Sequence, residues 1–96
     1  MKRSNTMPIG DAINAFLRQE GLETPLNEHR LINSWNDVAG EAISQYTTPT
    51  HIKGETLYVK VKSPAVRERL TYSREKLIKL LNAKVKATVI NNIIFY

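Results

Sequence analysis

Along this 96-residue chain the apolar residues change period three times, from helical to alternating near residue 48, back to helical at residue 64 and to a strand pattern again at residue 89. Such switches demand helices and strands around one core. Three-and-four spacing gathers side chains on one helix face, and alternation gathers them on one sheet face. Ile9, Ala12, Ile13, Phe16 and Leu17 open the pattern, with Pro8 suited to a first helical turn and Gly21 placed to end it. The spacing predicts a helix over 8–20. Thr24-Pro25 leads into a second helix, predicted over 26–46, with Leu31, Ile32, Trp35, Val38, Ala39, Ala42, Ile43 and Tyr46 in phase. Gly40 lies inside that span. A mid-helix glycine costs roughly 1 kcal/mol relative to alanine, so close backbone packing or a break near residues 36–40 is required.

Residues 49–53, the turn Lys53-Gly54-Glu55 and residues 56–62 read as strand, turn, strand. Leu57, Val59 and Val61 are expected to face the core, and Tyr58, Lys60 and Lys62 the other side. Ser63 suits an N-cap and Pro64 the first helical position. A third helix follows over 64–86, with the stripe Val66, Leu70, Leu77, Leu81 and Val85, flanked by Ile78 and Leu80. Residues 89–96 read as a third strand, with Ile93 and Phe95 on one face and Ile94 and Tyr96 on the other. The order ααββαβ predicts an α+β fold: a small mixed three-stranded sheet covered by helices on one face. Residues 1–7 are polar and unpatterned and are expected to form a loose tail. Residues 8–96 are expected to form a single domain, since a chain of this size holds one core.

Hydrophobic residues make up 42% of the chain and charged residues 24%, a balance that argues against wholesale disorder. Cysteine is absent, so no disulfide, thiol nucleophile or Cys-based zinc site is available. His29 and His51 are too isolated for a metal cluster, and neither a metal nor a cofactor is expected. The longest apolar run, around Ile93 to Tyr96, falls far short of the roughly 20 residues of a membrane span. Lys2 and Arg3 lead into no apolar stretch, so no signal peptide is expected, and the expected compartment is the cytoplasm. No phosphate loop, Gly-x-Gly-x-x-Gly, Gly-x-Ser-x-Gly or His-Glu-x-x-His occurs. Asp37 and Glu41 lie four apart on what reads as a solvated helix face, and His51 reads as a surface or strand-edge histidine. No enzyme is expected.

Charge is divided between the halves. Residues 1–48 carry four basic and six acidic side chains; residues 49–96 carry ten basic and three acidic. A positive half attracts phosphate polyanions or acidic surfaces. Tyr58 alternates with Lys60 and Lys62, an aromatic beside lysines on a sheet, as in folds that stack single-stranded bases and track the backbone. The competing reading is an edge strand guarded by lysines. The third helix adds Arg67, Arg69, Arg74, Lys76, Lys79, Lys84 and Lys86, which scatter around its axis instead of forming one stripe. The candidate nucleic-acid contacts are therefore Lys53, Tyr58, Lys60, Lys62, Arg67, Arg69 and Lys76. A pure protein-interaction domain, docking a peptide by strand addition, is the reading from another class. Trp35 shares its phase with Leu31, Ile32, Val38 and Ile43, which places it in the core and not on the surface as a binding anchor.

Trp35-x-x-Val38-Ala39-Gly40-x-x-Ile43, Thr48-Pro49-x-x-Ile52 followed by Gly54, Leu57-x-Val59-x-Val61-x-Ser63, Leu81-Asn82 and Val89-Ile90-x-x-Ile93-x-Phe95 occur in that order. The ordered set resembles the DciA-like family of bacteria, long catalogued as a domain of unknown function. The resemblance covers nearly the whole chain after residue 7. It implies a KH-like fold and a role in chromosome replication, through association with the replicative DNA helicase and help in loading it onto DNA. It also implies no nucleotide-hydrolysis site, in keeping with the missing phosphate loop. Two departures stand out. Lys86 occupies a position where family members often carry glycine. No Gly-x-x-Gly loop is present, so RNA binding in the manner of a true KH domain is not implied.

Overall fold

A computed structural model describes residues 9–19 and 23–96. Its elements, in chain order, are α1 (Ile9–Gln19), α2 (Glu23–Asn33), α3 (Trp35–Ala39), α4 (Glu41–Ser44), β1 (Thr47–Lys53), β2 (Thr56–Val61), α5 (Pro64–Tyr72), α6 (Arg74–Val85) and β3 (Asn92–Phe95). The expected tail, Pro8 and the Gly21 stop lie outside the described residues. The sheet order is β1-β2-β3, with β1 antiparallel and β3 parallel to β2. The helical connection α5–α6 carries the chain from β2 to its parallel neighbour, as parallel pairing requires. The fold is α+β with a mixed three-stranded sheet. Among the described residues, no helix is long and apolar enough to cross a membrane.

The core lies between the inner sheet face and the helices. Leu57, Val59, Val61 and Ile93 meet Leu31, Trp35, Leu70, Leu77, Leu81 and Ile90, all buried. Trp35 is fully buried, and its indole Nε1 donates to the Thr47 hydroxyl at 2.8 Å. Thr47 in turn donates to the Ile43 carbonyl at 3.1 Å, so the one polar group Trp35 brings into the core is satisfied. Helix α1 leaves Ile13 and Phe16 more than half exposed, although both lie on its apolar face.

The single helix predicted over 26–46 is three helices. The first begins at Glu23, ahead of Pro25, because the early N–H groups of a helix have no internal partner for a proline to remove. The last break is at Gly40, whose φ of 90° and ψ of 157° are open essentially to glycine alone. Gly40 is thus a corner, which separates Asp37 on α3 from Glu41 on α4; both carboxylates are exposed. Tyr46 falls beyond the helices and is exposed.

The helix predicted over 64–86 also divides, at Ser73. Ser63 caps α5 as expected, its side chain accepting from the Val66 N–H at 3.4 Å, with Pro64 at the first position. Near the break, the Thr71 hydroxyl donates to the Arg67 carbonyl at 2.9 Å, a back-bond that bends helices. Helix α6 ends at Lys86 in the left-handed conformation, φ 59°, ψ 36°. The geometry suits glycine, and a lysine holds it here.

The third strand begins at Asn92, three residues later than its apolar pattern predicts. Asn82 on α6 accounts for the delay. Its Oδ1 accepts from the N–H groups of Val89 (3.0 Å) and Ile90 (3.2 Å), while its Nδ2 donates to the Ile90 carbonyl (2.9 Å). A side chain has taken the backbone groups a strand partner would use, and Ile90 is anchored in the core.

Candidate nucleic-acid interface

Period-two alternation on β2 buries Leu57, Val59 and Val61 and turns Thr56, Tyr58 and Lys60 outward. Pairing extends this outer face across three strands. His51, Tyr58 and Ile94 form one row, and Lys53, Thr56 and Asn92 the next. Thr48 pairs with Lys60 on the other side, where Tyr96 follows the end of β3. No acidic side chain stands in these rows. Lys60 belongs to the central strand, so it guards no edge; the edge-strand explanation of these lysines does not apply to it.

The sheet face gathers three of the seven candidate contacts. Lys53 and Lys60 are exposed there and Tyr58 is half-buried. Lys62 is exposed just past the end of β2, where its N–H bonds the Tyr46 carbonyl at 2.8 Å. The other three lie in the helical layer. Arg67 and Arg69 are exposed on opposite flanks of the Val66–Leu70 stripe of α5. Lys76 is exposed on α6 and, at 100° per residue, points away from the Leu77–Leu81 stripe and hence from the sheet. Arg74 lies against the core, with its guanidinium 6.0 Å from the centre of the Phe95 ring. Among the described residues, no three His, Asp or Glu side chains gather as a metal group would require.

His51, the expected strand-edge histidine, is part of an arrangement that alternation alone does not predict. The β1–β2 register shifts between Pro49 and His51, leaving Thr50 as the extra residue of a bulge. Without the bulge, strict alternation from Thr48 would turn His51 inward. With it, His51 stands outward beside Tyr58, their rings stacked at 4.6 Å and 6° apart in plane. Tyr96 meets Tyr58 edge-on at 6.5 Å and 70°. Thr50 ties the group together: its hydroxyl donates to the Tyr58 carbonyl, receives the Tyr96 hydroxyl proton, and lies 3.0 Å from His51 Nδ1. The resulting surface is cationic, aromatic and braced by one hydroxyl. Its groups can hold phosphates and unpaired bases.

Comparison with known proteins bears on the whole chain. Residues 8–95 match the family described as "Dna[CI] antecedent, DciA". A UPF0232 protein of Rhodococcus jostii (strain RHA1) is 26% identical over 86 residues, which cover 90% of this chain and 46% of that protein. The chain therefore spans about half the length of the curated relative it matches.

Proposed function

The chain belongs to the DciA family, a replication-related family, and from that premise we propose that it is a non-enzymatic accessory of the replicative DNA helicase. In this reading it works in the cytoplasm, binds the helicase, assists its loading, and touches single-stranded DNA with the outer sheet face. Family membership supports the helicase as partner. The position of Lys60 supports the DNA contact: it is exposed on the central strand of an acid-free, aromatic sheet face. Lys53 and Lys62 extend the positive charge toward the two ends of the face. Lysines so placed meet a polyphosphate backbone without desolvating a buried charge, a favourable and strongly salt-dependent contact.

Size-exclusion chromatography of the chain with the replicative helicase of its own organism, at moderate salt, tests the partner. The expected result is one co-eluting complex. Two separate peaks from folded, monodisperse components would overturn the helicase reading. They would leave either a stand-alone module for single-stranded nucleic acid or a domain that docks a strand on the free edges of β1 or β3. Direct DNA binding separates those two. A phosphate-driven binder loses affinity with a log–log salt slope of roughly 0.7 per phosphate neutralised.

A further inference from the structure

The Thr50 hydroxyl has one proton, and it goes to the Tyr58 carbonyl, which can only accept. Toward Tyr96 and His51 the same oxygen must accept. His51 therefore carries its proton on Nδ1, and Nε2 is the acceptor of the neutral ring. The stack defines the ring's orientation as well. A centroid spacing of 4.6 Å between side chains on adjacent strands matches the roughly 4.7–4.9 Å separation of the strands themselves. The rings consequently stand on edge, with their faces directed along the sheet. Tyr58 has His51 against one side and the edge of Tyr96 toward the other. His51 has Tyr58 against one side only, and its other side faces the free edge of β1, which has no further strand.

Resting on the single-stranded DNA reading above, we propose that the outward ring face of His51 is the base-stacking subsite of this surface. An unpaired nucleobase adds there as the next plate of the stack. Tyr58 acts as the backing plate and not as the platform. Thr50 is a positioning residue: it holds the ring upright and in one tautomer, leaving Nε2 to accept, in the ring plane, from an N–H of a neighbouring base and not of the stacked one. Lys53 lies two residues along β1 on the same face, about 6–7 Å away by strand rise, within reach of an adjacent phosphate.

Two fluorescent oligomers separate stacking from charge: oligo-dT and an abasic deoxyribose-phosphate oligomer of equal length, titrated by anisotropy with the whole chain. The wild type is expected to bind oligo-dT more tightly. His51→Ala should weaken oligo-dT by about tenfold, the size of one lost base stack, and alter abasic binding less than twofold. His51→Phe, which keeps the plate, should restore most of the loss. In ¹H–¹³C spectra the His51 ring protons should move upfield on adding oligo-dT and stay in place with the abasic oligomer. Thr50→Val should leave the fold intact, mix the two tautomers as read by ring ¹⁵N shifts, and weaken oligo-dT two- to threefold. Equal loss on both oligomers, or no loss on either, would overturn the stacking subsite while leaving DNA binding in place. A wild type that binds neither oligomer would overturn both.

Discussion

The two faces of the sheet are built by different rules. On the inner face, Leu57, Val59 and Ile93 are placed by burial and are fully enclosed. On the outer face, His51, Tyr58 and Tyr96 are placed by a bulge, a stack and one threonine hydroxyl, and all three retain exposure to solvent. Burial is cooperative, so a defect on the inner side spreads through the packing. The outer group is local, so a defect there should change what the surface binds and leave the fold standing. Stability and binding are thus expected to separate cleanly by face.

The largest expected effect is on the inner side. Trp35→Ala empties the centre of the core and takes the indole donor from the Thr47 hydroxyl; it should cost about 3–5 kcal/mol by chemical denaturation, enough to unfold much of the population. Asn82→Ala removes three hydrogen bonds that hold Val89 and Ile90 ahead of β3, and about 2–3 kcal/mol is the expected loss. Amide exchange should show β3 opening first in that variant. Gly40→Ala meets no steric contact, yet its backbone angles should cost roughly 1–3 kcal/mol. Lys86→Gly runs the other way. Relieving a left-handed lysine should raise stability by roughly 0.5–1 kcal/mol, seen as a higher denaturation midpoint at unchanged m-value. Smallest on this scale are outer-face changes: Lys60→Glu should shift stability by less than about 0.5 kcal/mol. A large loss of stability from Lys60→Glu would break the comparison between the faces.

The same division governs what could be read from residues alone. Alternation on β2 places Leu57, Val59 and Val61 inward, because the extra residue of the bulge lies on β1 and leaves the period of β2 itself unbroken. The phase of Trp35, the turn at Gly54, the Ser63-Pro64 start of α5 and the outward Ile94 and Tyr96 were equally plain. Gly40 announced a break, though not its angle. The break at Ser73 had no glycine or proline to mark it. The late start of β3 depends on where Asn82 sits in space, which local propensity does not encode. His51 stands exposed on an edge strand, as expected, but its stack on Tyr58 is not legible in the sequence: a bulge reverses the phase of everything after it, and Thr-Pro-Thr-His contains no residue that demands one. Charge tells which half of the chain is positive, but only the fold shows that Lys60 stands on the central strand while Lys76 points away from the sheet.

The claim that the outer sheet face holds single-stranded DNA is tested most directly by oligo-dT affinity as a function of salt, for the wild type and for Lys60→Glu/Lys62→Glu, with thermal unfolding measured in parallel. The expected result is a steep salt slope in the wild type, an affinity at least about tenfold lower and a shallower slope in the double variant, and nearly equal unfolding midpoints. Equal affinity and equal slope in the two proteins, both folded, would contradict it.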